Sequence, residues 1–189
     1  MIMVDSQAGR LIFPIINSFD EVVAFGGRLL EKSDFAKYKN TSQTSVFDKS
    51  KCVFSINQIK KLKSANELKE VIIVEGQMDV ISLYQAGVKN AVACMGTALT
   101  INHAKDLKRF ADKVILCFDG DGAGKEATTS AIEVLKEIGV TPKVISLEEN
   151  LDPDEYIIKY GGDAFKNKIN NPESSIEFLM KLHKKNKNL

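Results

Sequence analysis

Two apolar runs in this sequence each end abruptly in carboxylates and glycine. Residues 71–74 are followed by Glu75 and a glycine, and residues 114–118 are followed by Asp119-Gly-Asp121. Short apolar runs of this kind are typical of buried parallel strands, and open α/β sheets bind their ligands beyond the carboxyl ends of such strands. Three carboxylates at one sheet edge repel one another unless a cation lies between them, and oxygen ligands suit Mg²⁺. The pattern predicts a magnesium site for phosphate chemistry.

A regular alternation of strand and helix patterns would position these carboxylates. Strands joined by helices favour a parallel sheet with helices on its faces, so the predicted fold class is α/β. The predicted strands span residues 71–75, 91–94, 114–118 and 142–147, and the predicted helices span residues 77–86, 100–111 and 123–138.

The two flanks of this alternation follow different patterns. Before it, the sequence indicates two strands joined by a turn, an extended polar loop and a lysine-rich helix, at residues 10–16, 21–27, 31–51 and 55–66 in that order. After it, the pattern is helical, near residues 154–160, 163–169 and 173–187. We therefore expect a small α+β region before the sheet and a helical segment after it.

Composition argues against several classes of function. The 189 residues carry a formal net charge of +1, so no overall basicity indicates nucleic acid, although residues 28–69 and 181–187 are rich in lysine and arginine. The three cysteines form no CxxC pair, which argues against a zinc knuckle or a disulfide framework. Cys94 and Cys117 lie in apolar runs and are expected in the core. No apolar run approaches the ~18 residues of a membrane span, so we expect a cytoplasmic protein.

Further acids and glycines complete a pattern that resembles a known family. The motifs are similar to those of the Toprim fold, the metal-binding domain of bacterial primases, topoisomerases and certain nucleases, and most closely to those of DnaG-type bacterial DNA primases: Glu75-Gly-Gln-Met-Asp79, Cys94-Met-Gly-Thr97, Asp119-Gly-Asp121-Gly-Ala-Gly-Lys125 and Asp152-Pro-Asp154. The upstream motifs resemble the preceding part of that family's polymerase core: Gly9-Arg10-Leu-Ile-Phe-Pro14, Phe25-Gly-Gly-Arg28 and Lys37-Tyr38-Lys-Asn40. The resemblance extends from residue 9 to residue 162.

The resemblance implies a domain organisation and an activity. We expect part of a basic N-terminal α+β subdomain of the polymerase core at residues 1–66, a Toprim metal-binding domain at 67–158 and a helical segment at 159–189. The family's zinc-binding and helicase-binding domains are expected outside this sequence. The implied activity is that of a nucleotidyltransferase, a replicative primase that makes short RNA primers on DNA from ribonucleoside triphosphates, weakly if this part acts alone.

The resemblance also implies cofactors and partners. Mg²⁺ is expected, with Mn²⁺ as a substitute and no zinc in this part. The expected partners are a single-stranded DNA template, ribonucleoside triphosphates, the RNA primer and, through a region outside this sequence, the replicative helicase. The expected place of action is the replication fork in the cytoplasm, within the primosome and without contact with a membrane.

The family's functional residues carry over to matching positions. Three acids match the catalytic, metal-binding residues: Glu75, Asp119 and Asp121. Three more match the same acidic cluster, as outer ligands or holders of metal-bound water: Asp79, Asp152 and Asp154. A basic ridge that faces nucleic acid and the incoming triphosphate is matched by Arg10, Arg28, Lys37, Tyr38, Asn40 and Lys49. Cations on such a ridge would hold phosphates, which arginine can engage in bidentate fashion.

Simpler interpretations remain open for single residues and for the whole chain. Each acid could begin or cap a helix, and loop lysines are usually only solvated. The glycines after Asp119 do not fit a P-loop, because Glu126 stands where a magnesium-binding Ser or Thr is needed. His103 is too isolated for a metal or catalytic pair. The alternative functions are a metal-dependent nuclease, a topoisomerase-like enzyme (whose tyrosine nucleophile none of the four tyrosines suits) and a non-catalytic fragment that binds DNA or helicase.

Overall fold

The computed structural model of the chain describes residues 5–31 and 34–187. Residues 1–4 and 32–33 of the first predicted segment, and residues 188–189 of the last, lie outside the described residues. Within the described ranges, no helix combines the length and the apolar character needed to cross a bilayer.

The first sheet is small and antiparallel. It contains β1 (Arg10–Ile16), β2 (Val22–Leu29) and β3 (Tyr38–Asn40), in the order β1-β2-β3. The predicted turn between β1 and β2 is confirmed: the Asn17 side chain accepts the backbone N–H groups of Phe19 and Glu21. The prediction of an uninterrupted loop over residues 31–51 is wrong, because Gly26, Gly27 and Arg28 of β2 pair with β3. Three residues are too few for alternation to reveal a strand.

The second sheet carries the predicted parallel core. Its strands are β4 (Val71–Val74), β5 (Ala91–Ala93), β6 (Val114–Leu116), β7 (Lys143–Val144) and β8 (Glu173–Ser174), in the order β5-β4-β6-β7-β8. The first four run parallel, which confirms the predicted fold class. β8 is antiparallel to β7 and was not predicted; its two residues fell inside the helix expected over 173–187.

Seven helices are described: α1 (Ile56–Ser64), α2 (Gln77–Gln85), α3 (Ile101–Lys108), α4 (Gly122–Glu137), α5 (Pro153–Tyr160), α6 (Gly162–Asn170) and α7 (Ser175–Lys187). Their positions agree with the predicted helices to within one residue, with three exceptions: α1 ends two residues and α3 three residues before the expected end, and α7 begins two residues after the expected start. Helix α7 begins late because the preceding pair of residues joins the sheet edge.

Strands β4, β5 and β6 are buried on both faces, which explains their unbroken apolar sequences. Val71 and Ile73 pack in one core with residues from α1, α3, α4 and α7, whereas Ile72 and Val74 pack in another with residues from α2, α5 and α6. Cys94 and Cys117 are buried in these cores, as expected.

The two sheets are joined through main chain and side chains. Phe54 and Ala93 exchange backbone hydrogen bonds of 2.9 and 3.3 Å, which tie the segment before α1 to the end of β5. A small third core joins β1 and β2 to the same end of β5 and contains Ile15, Ala24, Phe47 and Met95. The first sheet is therefore fixed beside the carboxyl end of β5.

Candidate active site

The carboxyl ends of β4 and β6 bring two of the predicted acids together. Glu75 follows β4 directly, and Asp119 follows β6 after two further buried residues. Because β4 and β6 are parallel neighbours, both ends lie at one edge of the sheet. The backbone N–H of Asp119 donates to Oε1 of Glu75 at 3.2 Å. The two motifs thus meet as the sequence predicted.

Burial and mutual repulsion disturb the ionisation of this pair. Burial raises the pKa of Asp119 to about 7, and the nearby carboxylates of Glu75, Asp152 and Asp121 add to the rise. Burial also raises the pKa of Glu75, with further contributions from Asp121 and Asp152. The pKa of Asp152 rises for similar reasons, burial first. Shifts of this kind occur where like charges are held together at functional sites.

Asp79 lies deeper in the same cluster. Burial raises its pKa to about 7, despite hydrogen bonds from the backbone N–H groups of Gly76 and Asp154 that favour the charged form. The Gly76 N–H lies 2.9 Å from Oδ2 of Asp79, so this carboxylate also caps the start of α2. Asp79 therefore links the starts of α2 and α5 beside Glu75.

Three other predicted acids have structural partners at helix starts. Asp121 accepts the Gly124 N–H at 2.7 Å, and Asp152 accepts the Glu155 N–H at 2.7 Å. Asp154 accepts a hydrogen bond from the Ser82 hydroxyl on α2. The capping interpretation is thus correct for Asp121 and Asp152, but a cap uses only part of a carboxylate, whose two oxygens offer several lone pairs.

A glycine in the Asp119 motif allows a close approach. A Cβ on Gly124 would lie 2.1 Å from the carbonyl oxygen of Asp119, so any side chain there would collide with the backbone that presents the acid. The first turn of α4 therefore packs directly against the Asp119 backbone. The glycine serves this contact and not a phosphate-binding loop.

One cavity of about 400 Å³ has an acidic and a basic side. Its acidic wall consists of Glu75, Asp79, Asp119, Asp152 and Asp154. Its basic wall consists of Arg28, Lys37, Tyr38, Asn40 and Lys49. The guanidinium carbon of Arg28 and the ammonium of Lys37 each lie 5.8 Å from the centre of the Tyr38 ring. The structure thus gathers ten of the twelve predicted site residues around a single space.

The other two predicted residues, Asp121 and Arg10, lie outside the lining of this cavity. Asp121 remains close enough to affect the ionisation of Glu75 and Asp119. The Arg10 guanidinium donates to the backbone carbonyls of Gly27 and Lys37, both at 3.3 Å. Arg10 therefore supports the strands that carry the basic wall.

A polar bridge that sequence reasoning missed joins the two walls. The Asn40 amide nitrogen donates to the Met95 carbonyl at 3.1 Å, and the buried Gln77 amide donates to the Asn40 oxygen at 3.2 Å. Gly26 lies against this bridge: a Cβ there would be 2.5 Å from Nε2 of Gln77 and 2.8 Å from Oδ1 of Asn40. Asn40 and Gln77 are 37 residues apart, so no local pattern could have indicated their contact.

A buried histidine holds the loop that carries Lys49. His103 is fully buried; its Nδ1 accepts the Thr100 N–H at 3.2 Å and its Nε2 donates to the Lys49 carbonyl at 2.7 Å. The Thr100 hydroxyl donates to the next carbonyl, that of Ser50, at 2.6 Å. Burial lowers the pKa of His103, which favours the neutral ring that this arrangement needs. The sequence showed His103 as an isolated residue, and its partner lies 54 positions away.

The acidic wall matches a divalent cation in its donor atoms. In the part of the chain that the structure describes, no three His, Cys, Asp or Glu side chains are placed to hold one ion by themselves. Mg²⁺, however, commonly takes only one or two carboxylates and completes its coordination with water and substrate phosphates. Glu75 and Asp119, with raised pKa values and hard oxygen atoms, fit such a cation.

Comparison with known proteins identifies the family of this chain. Residues 2–60 match the DNA primase catalytic core, N-terminal domain, and residues 72–157 match the Toprim-like family. A DNA primase from Enterococcus faecalis is 40% identical over 188 residues, which cover 95% of this chain and 30% of that protein. The chain belongs to the DnaG-type bacterial DNA primases. It spans less than a third of the length of this curated relative.

Solved structures of DnaG-type primases share the fold described above. The Aquifex aeolicus primase structure of the zinc-binding and RNA polymerase domains superposes with a TM-score of 0.86 at 34% identity, covering 98% of this chain and 45% of that one. A DnaG primase catalytic domain bound to single-stranded DNA superposes with a TM-score of 0.82 at 33% identity, covering 92% of this chain and 55% of that one. The combination of a Toprim sheet and a preceding antiparallel sheet is therefore that of a primase catalytic core.

Proposed function

We propose that this chain is part of the catalytic core of a replicative primase, which synthesises short RNA primers on a DNA template from ribonucleoside triphosphates. The observation that carries the proposal is the cavity with acidic and basic walls. Nucleotide transfer needs carboxylates for a metal ion and cations for phosphates, within one space. Family membership supports the same activity.

In this proposal Glu75, Asp119 and Asp121 supply the carboxylates for the divalent metal, Mg²⁺ or Mn²⁺, and water and substrate phosphates complete its coordination. When bound, the metal supplies a lowered pKa for the attacking hydroxyl and neutralises charge on the transferring phosphate. Asp79, Asp152 and Asp154 add negative charge around it and position the starts of α2 and α5.

The residues of the basic wall bind the triphosphate and the template in this proposal. Arg28 and Lys37, beside the Tyr38 ring, attract phosphates, and Lys49 is presented from its fixed loop. Asn40 fixes the position of the basic wall through its hydrogen bond to the Met95 carbonyl. Arg10 acts indirectly, through the strands that it supports.

The partners and the domain limits also belong to the proposal. One relative is described as bound to single-stranded DNA, which supports such a template for this chain. The RNA primer is the product, and helicase contact through another region places the enzyme at the replication fork in the cytoplasm. The division into a subdomain at 1–66, a Toprim domain at 67–158 and a helical segment at 159–189 stays a prediction.

The first test is a Mn²⁺ titration of the chain followed by electron paramagnetic resonance. We expect saturable binding that weakens at least about tenfold in Glu75→Gln, because one of the few carboxylate ligands is lost. Asp163→Asn is the matched control, since this fully exposed carboxylate on α6 lies outside the cavity. If the two variants bind Mn²⁺ with equal affinity, Glu75 is not a ligand of the metal.

A second measurement separates polymerisation from cleavage. The chain is incubated with metal, labelled single-stranded DNA and ribonucleoside triphosphates, and the products are resolved by length. Template-dependent RNA supports the primase assignment, whereas shortened DNA that forms without triphosphates would indicate a Toprim nuclease instead.

A further inference from the structure

A second cavity, of about 440 Å³, lies between the β1–β2 turn, α1 and α3. Its floor is apolar and includes Ile16, Val53 and Ile56, while Lys105 and Arg109 of α3 lie at its rim. We call this space the α1–α3 cleft. The cavity between the acidic and basic walls, which we call the catalytic cavity, is lined by different residues.

An exposed aromatic ring stands at the mouth of the α1–α3 cleft. Phe19 is 75% exposed at the tip of the β1–β2 turn. The turn is held by the Asn17 side-chain oxygen, which accepts the backbone N–H groups of Phe19 and Glu21. The Lys60 ammonium lies 5.3 Å from the centre of the Phe19 ring and donates to the Ser18 carbonyl at 2.7 Å. An aromatic ring kept in water on an ordered turn, with a cation beside it, is suited to stacking against a base.

Basic side chains surround the cleft because α1 and α3 pack together. The Lys63 ammonium on α1 donates to the Phe110 carbonyl at 2.6 Å and the Arg109 carbonyl at 3.1 Å, which joins the ends of the two helices. Cations outnumber carboxylates among the described residues that line the cleft, which include Lys51, Lys105 and Arg109 against Asp106.

The carboxylates near the cleft do not prevent an anion from binding to its cations. Arg109 pairs with Asp106 at 3.0 Å and Lys51 pairs with Asp48 at 3.2 Å, with both cations largely exposed. Exposed pairs of this kind contribute little energy, so a phosphate can compete for these cations. The apolar floor beneath a cationic rim suits a ligand with both flat apolar groups and negative charge.

The same loop borders both cavities. Lys49 belongs to the basic wall of the catalytic cavity, and Lys51, Cys52 and Val53 line the α1–α3 cleft. A third space is lined by Lys49 and Ser50 and by Thr100 just before α3, and it shares Lys49 with the catalytic cavity. Residues 49–53 therefore connect the lining of the catalytic cavity to that of the cleft along the chain.

We propose that the α1–α3 cleft binds single-stranded nucleic acid next to the catalytic cavity, with a base stacked on Phe19 and phosphates beside Lys105 and Arg109. This proposal rests on the proposed function, because the catalytic cavity defines the strand that reaches the cleft. An acidic peptide would match the rim but not the exposed ring, so nucleic acid is the occupant that the observations favour.

The test measures the affinity of this chain for a fluorescent single strand of about 16 nucleotides, the upper end of usual site sizes. We expect the Phe19→Ala, Lys105→Gln double variant to bind about tenfold more weakly. Loss of Lys105 alone should lower the salt dependence, by about 0.7 in log–log slope, whereas loss of Phe19 alone should lower affinity at every salt concentration. Both side chains are exposed, so circular dichroism should match that of the unaltered chain.

Two further variants separate this proposal from the proposed function. Lys166→Gln on α6, which removes one exposed lysine that does not line the cleft, is the control and should bind normally. Arg28→Ala tests the catalytic cavity. If Arg28→Ala weakens binding and the cleft variant does not, the cleft proposal is overturned while the function stands.

The reverse results are equally informative. If the cleft variant weakens binding and Arg28→Ala does not, the cleft proposal stands and the role of the basic wall fails. A cleft variant that loses affinity for an oligo-aspartate peptide while keeping its affinity for DNA would overturn the proposal in favour of a peptide-binding surface.

Discussion

The acidic and basic walls of the catalytic cavity come from two different kinds of structure. The carboxylates of the acidic wall follow buried parallel strands or lie at the starts of helices. Their short side chains are fixed by contacts with the backbone, such as the hydrogen bond from the Asp119 N–H to Glu75. The basic wall comes from an antiparallel sheet and a loop, and its cations are long side chains near the surface. The position of the acidic wall is therefore set by the parallel sheet itself, whereas the position of the basic wall depends on how the first sheet is attached to it.

The largest expected effect concerns the acidic wall alone. Asp119→Asn with Asp121→Asn should lower metal-dependent nucleotide incorporation at least about 100-fold, because charge stabilisation at the reacting phosphate is lost. The fold should persist, since asparagine caps a helix as well as aspartate does.

Thermal unfolding checks the same variant. The repulsion among the acids is reduced, so we expect the apo protein to gain about 1–2 kcal/mol after allowance for solvent screening. A large loss of stability instead would show that these carboxylates hold the fold together.

The second prediction concerns the pH dependence of the acidic wall. Asp79 and Asp119 have pKa values of about 7 in the folded chain and 3.8 when unperturbed. Metal requires the deprotonated forms, so Mn²⁺ affinity should fall as pH drops below 7, by up to about tenfold per pH unit for each proton.

The sign for stability is opposite in the absence of metal. The folded protein keeps protons that the unfolded chain releases, so unfolding free energy should decrease as pH rises from 3.8 to about 7. Calorimetry across this range checks both signs, and a flat stability profile would mean that folding does not raise the pKa values of these acids.

The third prediction breaks the attachment between the walls. Gly26→Ala places a Cβ against Gln77 and Asn40, and overpacking of this kind should cost about 1–3 kcal/mol in urea unfolding. Adding Gln77→Ala should recover part of the loss, because the nearest atom is removed. If the double variant is destabilised as much as Gly26→Ala alone, the strain does not come from the contact with Gln77.

The smallest effect concerns a single cation. Lys49→Ala should weaken single-stranded DNA binding a few-fold and lower the salt slope by about 0.7, the value for one phosphate contact. Lys39→Ala is the control, because Lys39 lies on β3 but outside the lining of the cavity. A loss that salt does not affect would indicate damage to packing.

Much of the acidic wall was predictable because its determinants are local. An apolar run that ends in a carboxylate places Glu75 and Asp119 at strand ends, and adjacent parallel strands then bring them together. The positions of the long helices followed for the same reason. The two-residue strand β8 and the three-residue strand β3 were missed, because such lengths carry no periodic signal.

The supports of the basic wall were not predictable from one sequence. The contact of Gln77 with Asn40 and that of His103 with Lys49 join residues far apart in the chain, and each requires the packed position of both sheets. Arg10 illustrates the converse: the family resemblance implied that it faces phosphates, and only the structure shows its guanidinium on backbone carbonyls.

The packing of α1 bears on how the chain opens. Ile56 and Ile59 of this helix are buried in the same core as Val71 and Ile73, although α1 precedes the predicted boundary at residue 66. In thermodynamic terms, we expect α1 to belong to the cooperative unit of the parallel sheet and its amide hydrogens to exchange with solvent only when that sheet opens. We expect the antiparallel sheet to separate from the rest in a lower-energy, sub-global opening, which would carry the basic wall away while the acids stay in place.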